Sequence, residues 1–319
     1  MGRYLLHRLP SAIAVLLVAS VLIFALLRLV PGDPASTLAG PDASPETIAA
    51  INHELGLDQP LIGQYLTWIG HVLTFDLGRS YLIGGQIADL VSAGLANTLW
   101  LTGAALLLAI AGSVVTALVW VGVPSRTLDA ALTGFNTVAL ALPTFVTGVI
   151  LVVVFGLLLP ILPTGGVPPN GFLAEPDIPV QYLILPAICL ALPASAGLTR
   201  FLAESLRSEL AAPYLTTARA AGISSRRLLV AHALPAALPP YLTVLGLQAG
   251  ALLGGAVLVE AVFSWPGLGQ LAAQAIDRRD YPVVQVLLLL SVAVFVVIQL
   301  GTDVVHAYLD PRIRIGGLT

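Results

Sequence analysis

Long apolar runs separated by short polar stretches organise this chain. Six of them approach or exceed the roughly 20 residues a helix needs to cross a bilayer: 9–30, 96–123, 131–162, 180–200, 239–262 and 283–306. The pattern predicts an all-α integral membrane protein of about six transmembrane helices. Arg3 and Arg8 precede the first run, as they would in a secretory signal. That run continues without a clear small-x-small cleavage site, and five more follow, so it reads as a retained anchor. The third run is longer than one span requires and contains Pro143, which predicts a tilt or kink there.

The polar stretches carry their own signals. Between the first two runs lies a long loop, 31–95. Ser44-Pro45-Glu46 reads as an N-cap followed by proline at the first helical position, and Gly56 is placed to end that helix. Asp58-Gln59-Pro60 can start another, with Leu61, Ile62, Tyr65, Leu66, Trp68, Ile69 and Leu73 at helical spacing. Such a helix suits the membrane interface, as a cap over the bundle or as a receiver of an external partner. A second polar insert spans 201–238. Residues 201–211 favour helix, with Glu204, Arg207 and Ser208 on a polar side. Pro213 suits the start of a short helix from Tyr214 to Ala221, and Gly222 can stop it in a left-handed conformation. Ile223 to Leu234 then leads back to the membrane, which Pro235 marks. The small residues Thr216, Thr217, Ala218, Ala220 and Ala221 permit close approach by a docked protein; the competing reading is an amphipathic helix on the membrane surface. No repeat or flexible linker interrupts the chain, so 1–319 is expected to be a single transmembrane domain.

Composition narrows the class. The chain is 57% hydrophobic and 10% charged, with a mean hydropathy of +0.95, against about 25% charged residues in soluble domains. A net charge of −3 gives no footing for nucleic acid. All 14 fixed cations are arginine. With the N-terminus inside, Arg3, Arg8, Arg126, Arg200, Arg207, Arg219, Arg226, Arg227, Arg312 and Arg314 are cytoplasmic, leaving Arg28, Arg79, Arg278 and Arg279 outside. Ten against four places both termini in the cytoplasm.

The absence of lysine excludes the phosphate-gripping GxxxxGK[ST] loop, so no ATP-hydrolysing motor is encoded here. His7, His53, His71, His232 and His306 are scattered, without an HExxH pattern, and Cys189 stands alone in an apolar run. No metal site is expected. Intramembrane proteolysis needs paired catalytic groups at matching depth, and Asp303 is the sole aspartate within a span. The chain is expected to be a non-catalytic subunit.

Gly246, Gly250 and Gly254 recur at every fourth position of the fifth run, a spacing that lets another helix approach closely. They fit packing within the bundle or a seam with a second membrane subunit. Gln248 in the same run, with Glu260, Asn136, Thr144 and the helix-breaking Pro143, could line a passage for a polar solute.

The insert also carries a resemblance. Ala218, Gly222 and Leu234-Pro235 are spaced as in the coupling (EAA) loop of permease subunits of binding-protein-dependent ABC importers, although Thr216-Thr217-Ala218 stands where that loop has Glu-Ala-Ala. The chain resembles the B-type subunits of dipeptide and oligopeptide importers along its whole length. The matching blocks are Val30-Pro-Gly-Asp-Pro34, Leu55-Gly-Leu-Asp-Gln-Pro60, Asp76-Leu-Gly78, Thr217-Ala-Arg-Ala-Ala-Gly222 and His232-Ala-Leu234. Gly254-Gly-Ala-Val257, Pro266-Gly-Leu-Gly269, Arg279-Asp-Tyr-Pro282 and Leu309-Asp-Pro-Arg-Ile-Arg314 continue the series. The resemblance implies a multi-pass subunit of the bacterial cytoplasmic membrane. It also implies a homologous C-type permease partner, two cytoplasmic ATPases that bind ATP and Mg, and an external substrate-binding protein. Tyr214, Thr216, Thr217, Ala218, Arg219, Gly222 and Pro235 then become the coupling residues. Relatives of this branch carry nickel complexes, glutathione or oligosaccharides as well as peptides. The rival class is an ion-driven secondary transporter, which would favour inverted repeats and intramembrane ionisable residues.

Overall fold

The computed structural model describes residues 2–29, 44–54, 56–80, 82–166 and 177–309. The blocks at Val30–Pro34 and beyond Leu309, with Arg312 and Arg314, lie outside them, as do the side chains of Asp303 and His306. Eleven longer α-helices are described: α1 (Gly2–Leu29), α2 (Pro45–Glu54), α3 (Leu61–Leu73), α4 (Ile87–Gly122), α5 (Arg126–Ala141), α6 (Thr144–Val152), α7 (Asp177–Leu210), α8 (Pro213–Ala220), α9 (Leu234–Val262), α10 (Leu268–Asp277) and α11 (Tyr281–Leu309). Five segments are long and apolar enough to span a membrane: Leu9–Leu29, Ile87–Gly122, Val180–Leu210, Ser225–Val262 and Tyr281–Gly301. Counted as one span, the broken pair Arg126–Ala141 and Thr144–Leu158 would make a sixth.

That pair is bent by 104°, far beyond a kink. Leu142 and Pro143 both adopt extended ψ angles, 126° and 139°. Proline disfavours the helical region for the residue before it and has no N–H to donate, so α5 must stop there. The second span starts at Ile87, nine residues earlier than the apolar run at 96, because Asp89 sits comfortably at a helix N-terminus. The fourth continues through Leu210, well past the run's end at 200.

The chain divides into two compact units. One contains Thr98–Pro266 and the last helix from Ile298. Its core centres on α7, whose apolar window is 56% buried, against 17–22% for the other four spans. Leu185, Leu198, Leu202 and Leu206 of α7 pack with Leu101, Ala105 and Ala109 of α4 and Tyr241, Leu252, Ala256 and Val259 of α9. Glycine permits a close approach of α4 to α7: a Cβ on Gly112 would stand 2.8 Å from Ser195 Oγ. At Leu228–Ala233 the chain widens into a π-helical turn before α9. Pro235 removes one backbone donor and its ring crowds the carbonyl four residues back, which favours that widening.

The other unit contains Gly2–Asn97 and Gly267–Val297. Ser44 Oγ accepts from Thr47 N at 3.2 Å as the start of α2 requires, and Gly56 follows α2 at φ +64°. Tyr65 and Trp68 of α3 turn onto Phe24 of α1, with ring centroids 5.5 and 6.0 Å away, and Tyr65 shares a 2.8 Å hydrogen bond with Ser20. Leu61, Ile62, Leu66 and Leu73 of α3 stay exposed. A second cluster joins Ile87 and Val91 to Ala275, Val283, Val286 and Leu287.

Candidate coupling surface

The insert after α7 is built outward from its own backbone. Pro213 occupies the first turn of α8, where its missing N–H costs nothing. At the other end Ile223 N donates to Ala218 O at 3.3 Å and Gly222 N to Arg219 O at 3.0 Å. Those two bonds with Gly222 at φ +83° form a Schellman cap. The cap's accompanying apolar contact is present in kind: Ala218 and Ile223 are both half-buried against the core of this unit.

Leu215 is fully buried, and with Ala218 and Ile223 it pins α8 to the helices beneath. The opposite face is open. Tyr214, Thr216, Thr217, Arg219, Ala220, Ala221 and Gly222 are all exposed, as is Pro235 in the first turn of α9. Tyr214 is the sole large apolar-bodied residue on that face, so it lacks the apolar stripe of a membrane-surface helix. It presents small side chains, two hydroxyls, one tyrosine and one guanidinium. Ala218 faces the core instead of joining this surface.

The arm leading into α8 is braced. Trp120 Nε1 at the end of α4 donates to Asp129 Oδ1 at 2.7 Å. The Arg207 guanidinium lies over the Trp120 ring at 5.0 Å and stands 3.6 Å from Asp129. Each such exposed contact is worth about 1 kcal/mol or less, but together they fix the angle at which α7 reaches the surface. Tyr214 Oη donates to Glu209 at 2.8 Å across the α7–α8 corner. That bond, with some burial and the carboxylate's charge, raises the tyrosine pKa above its ordinary value. The sequence singles out Arg207 but not its partners; the available signal is a tryptophan at a span end and an acid in the first turn of the next helix.

The polar residues at membrane depth each have contacts of their own among the described residues. Asn136 is buried and donates to Leu132 O of its own helix at 2.7 Å. Glu260 is buried against Thr98. Pro143 forms the break before α6, and the carbonyl of Thr144 accepts from Cys189 Sγ at 3.3 Å. Gln248 approaches the backbone of Gly197, where an added Cβ would stand 3.2 Å from its Nε2. On α9, Gly246 and Gly250 are half-buried, while Gly254 is exposed with nothing within 4 Å of an added Cβ. Its neighbour Gly255 packs within the chain, close to Leu190.

Helices long and apolar enough to cross a membrane, with a braced polar insert between two of them, are the features of a membrane-embedded protein. Residues 109–315 match the family described as the binding-protein-dependent transport system inner membrane component, and residues 1–89 match its N-terminal companion. Glutathione transport system permease protein GsiC of Salmonella typhi is 37% identical over 317 residues, 98% of this chain and 99% of the relative. The probable peptide ABC transporter permease protein y4tP of Sinorhizobium fredii (strain NBRC 101917 / NGR234) is 37% identical over 314 residues, 98% and 100% of the two chains. Among solved structures, an amino acid ABC transporter with histidines aligns with a TM-score of 0.54 at 16% identity, over 69% of this chain and 94% of that one. The MetNI methionine ABC transporter in an inward-facing conformation aligns with a TM-score of 0.51 at 19% identity, over 69% and 96%. These two likenesses speak for the fold alone.

The chain belongs to the binding-protein-dependent transport system permease family. It is a multi-pass inner-membrane component of an ABC importer.

Proposed function

We propose that this chain forms half of the transmembrane pathway of an ATP-driven importer for di- or oligopeptides. The observation that carries the coupling part is the outward face of α8, a short helix pinned by Leu215 and ended by Gly222 at φ +83°. In this reading a cytoplasmic ATPase docks on Tyr214, Thr216, Thr217 and Arg219, and closure of the motor around ATP and Mg pushes α8. The brace of Trp120, Asp129 and Arg207 passes the push to α4, α5 and α7. A homologous permease chain supplies the other half of the pathway and a second ATPase serves it. An external binding protein delivers the solute, and both termini lie in the cytoplasm. Nucleotide and loaded binding protein supply the differential interaction that a conformational shift requires. This chain itself catalyses nothing.

The substrate reading rests on the whole-length likeness to a relative named as a probable peptide permease. Glutathione is the second reading, favoured by relatives of equal identity named as glutathione permeases. Affinity purification of the tagged chain from its native membranes tests the assembly. An ATPase and a second permease should co-purify; a chain that purifies alone and drives uptake from an ion gradient would sink the proposal. Calorimetric titration of the cognate binding protein with dipeptides, longer peptides and glutathione then decides the cargo.

A further inference from the structure

The short helix α3 presents three faces. Tyr65 and Trp68 turn onto Phe24 of α1, where Tyr65 also bonds Ser20. Thr67, His71 and Thr74 form an exposed polar face. On the remaining side Ile62, Leu66, Ile69 and Leu73 recur at spacings of four, three and four, which makes one continuous stripe. Ile69 is half-buried, but Ile62, Leu66 and Leu73 are 75%, 60% and 74% exposed. A contiguous apolar stripe left open on a helix marks a surface made to be covered.

The end of α3 extends that surface at a conformational cost. Asp76 N donates to His71 O at 3.0 Å and Phe75 N to Val72 O at 3.1 Å, the bonding of a Schellman cap. The left-handed position of such a cap is usually glycine; here it is Phe75, at φ +58°. A bulky residue in that region is strained. Phe75 is also 85% exposed, so packing within this chain recovers little of the strain.

The level of α3 along α1 selects what covers it. The apolar span of α1 runs from Leu9 to Leu29. Ser20 and Phe24, the residues that hold Tyr65 and Trp68, lie nine and five positions before that end. At roughly 1.5 Å per residue they stand about 7–14 Å inside it. Leu22 and Leu26 of the same stretch of α1 are exposed, as side chains facing lipid are. The stripe on α3 therefore continues a lipid-facing surface, with Tyr65 and Trp68 in the zone where interfacial aromatics gather. We propose that α3 is an interfacial membrane anchor, with Ile62, Leu66, Leu73 and Phe75 inserted at the boundary between headgroups and acyl chains. It holds the long loop after α1 at the membrane surface.

Spin labels test this in the full chain, purified with the subunits that accompany it and placed in nanodiscs of phosphatidylethanolamine and phosphatidylglycerol. Cys189→Ala leaves no native thiol, so Leu66→Cys, Leu73→Cys, Thr67→Cys and Thr74→Cys can each be labelled alone. Collisions with oxygen, which concentrates in lipid, are compared with collisions with a water-soluble nickel chelate. The oxygen-to-nickel ratio should be severalfold higher at Leu66 and Leu73 than at Thr67 and Thr74. Phe75→Gly fits φ +58° and removes only the ring, so it should lower the ratio at Leu73; Phe75→Trp should keep it. An equal ratio on the two faces would put the stripe in water, and exclusion of both reagents from Leu66 and Leu73 would put it under a protein. Either result, or an unchanged ratio in Phe75→Gly, would overturn the proposal.

Discussion

The hydroxyl of Thr98 donates a 2.6 Å hydrogen bond to the Glu260 carboxylate, and both side chains are buried. The distance is at the short end of the range for an O–H···O hydrogen bond. It joins α4 to the end of α9 across 162 residues of chain. Thr98→Val keeps the shape and removes this donor from a buried carboxylate, which should cost about 1–3 kcal/mol. Thr98→Ser should stay close to wild type. Thermal melting in detergent separates the two; equal melting of both variants would show that the bond carries no stability.

Asp280 does a similar task in the other unit. Its Oδ2 accepts from Ser80 Oγ at 2.5 Å and from the amides of Leu82 and Ile83 at 3.2 and 3.3 Å, holding the turn that contains Gly84 and Gly85. Asp280→Ala strands these donors and should cost about 1–3 kcal/mol. Asp280→Asn retains an oxygen at the Oδ2 position and should cost clearly less. Limited proteolysis within 79–86 reports the loosened turn, and cleavage that is no faster in the alanine variant would refute this role.

These two pairs mark what is and is not legible in the sequence. Ser44, Gly56, Pro213 and Gly222 announce helix ends because caps depend on residues within a few positions of each other. Glu260 reads as a polar group at depth, but nothing local reveals a partner as remote as Thr98. Pro143 announces a break, but the 104° angle depends on how α6 packs. Ala218 looks like part of a docking face by its size and by the spacing that resembles the coupling loop. Only the cap geometry shows that it shares the inward stripe of Leu215 and Ile223.

The glycine seam on α9 gives a discriminating pair. A side chain on Gly255 runs into Leu190 at 3.2 Å, whereas one on Gly254 meets nothing within 4 Å. Gly255→Leu should therefore destabilise the isolated chain by about 1–3 kcal/mol through overpacking. Gly254→Leu should leave the isolated chain intact and disrupt its association with the second permease subunit. Size-exclusion chromatography of the co-expressed subunits reads the outcome; an intact complex carrying Gly254→Leu would place the seam elsewhere.

Tyr214 offers a pH test of the α7–α8 corner. Its hydrogen bond to Glu209 raises its pKa above the ordinary value of about 10. A raised pKa means that the bond's contribution is complete below pH ~10 and is lost as the pH climbs through the higher folded value. The corner should be insensitive to pH near neutrality. The ultraviolet titration difference between wild type and Tyr214→Phe should give a midpoint above about 10, returning to the ordinary value in Glu209→Gln. A midpoint at or below that value in the wild type would remove the bond from solution.

Gly222 is the sharpest test of the coupling surface because space and conformation can be separated there. Among the described residues no heavy atom lies within 4 Å of a Cβ built on it, so space for a Cβ is not the obstacle. The obstacle is φ +83°, a region that costs an ordinary L-residue about 1–2 kcal/mol and a β-branched one more. Gly222→Val should open the Schellman cap and let α8 drift from its seat, while the spans, far from the change, still insert. Gly222→Asn, which tolerates the left-handed region, should fall between valine and wild type. Reconstituted with the ATPases and binding protein, the valine variant should lose uptake and substrate-stimulated ATP hydrolysis together. Normal uptake with a valine at 222 would show that the motor does not push through this helix.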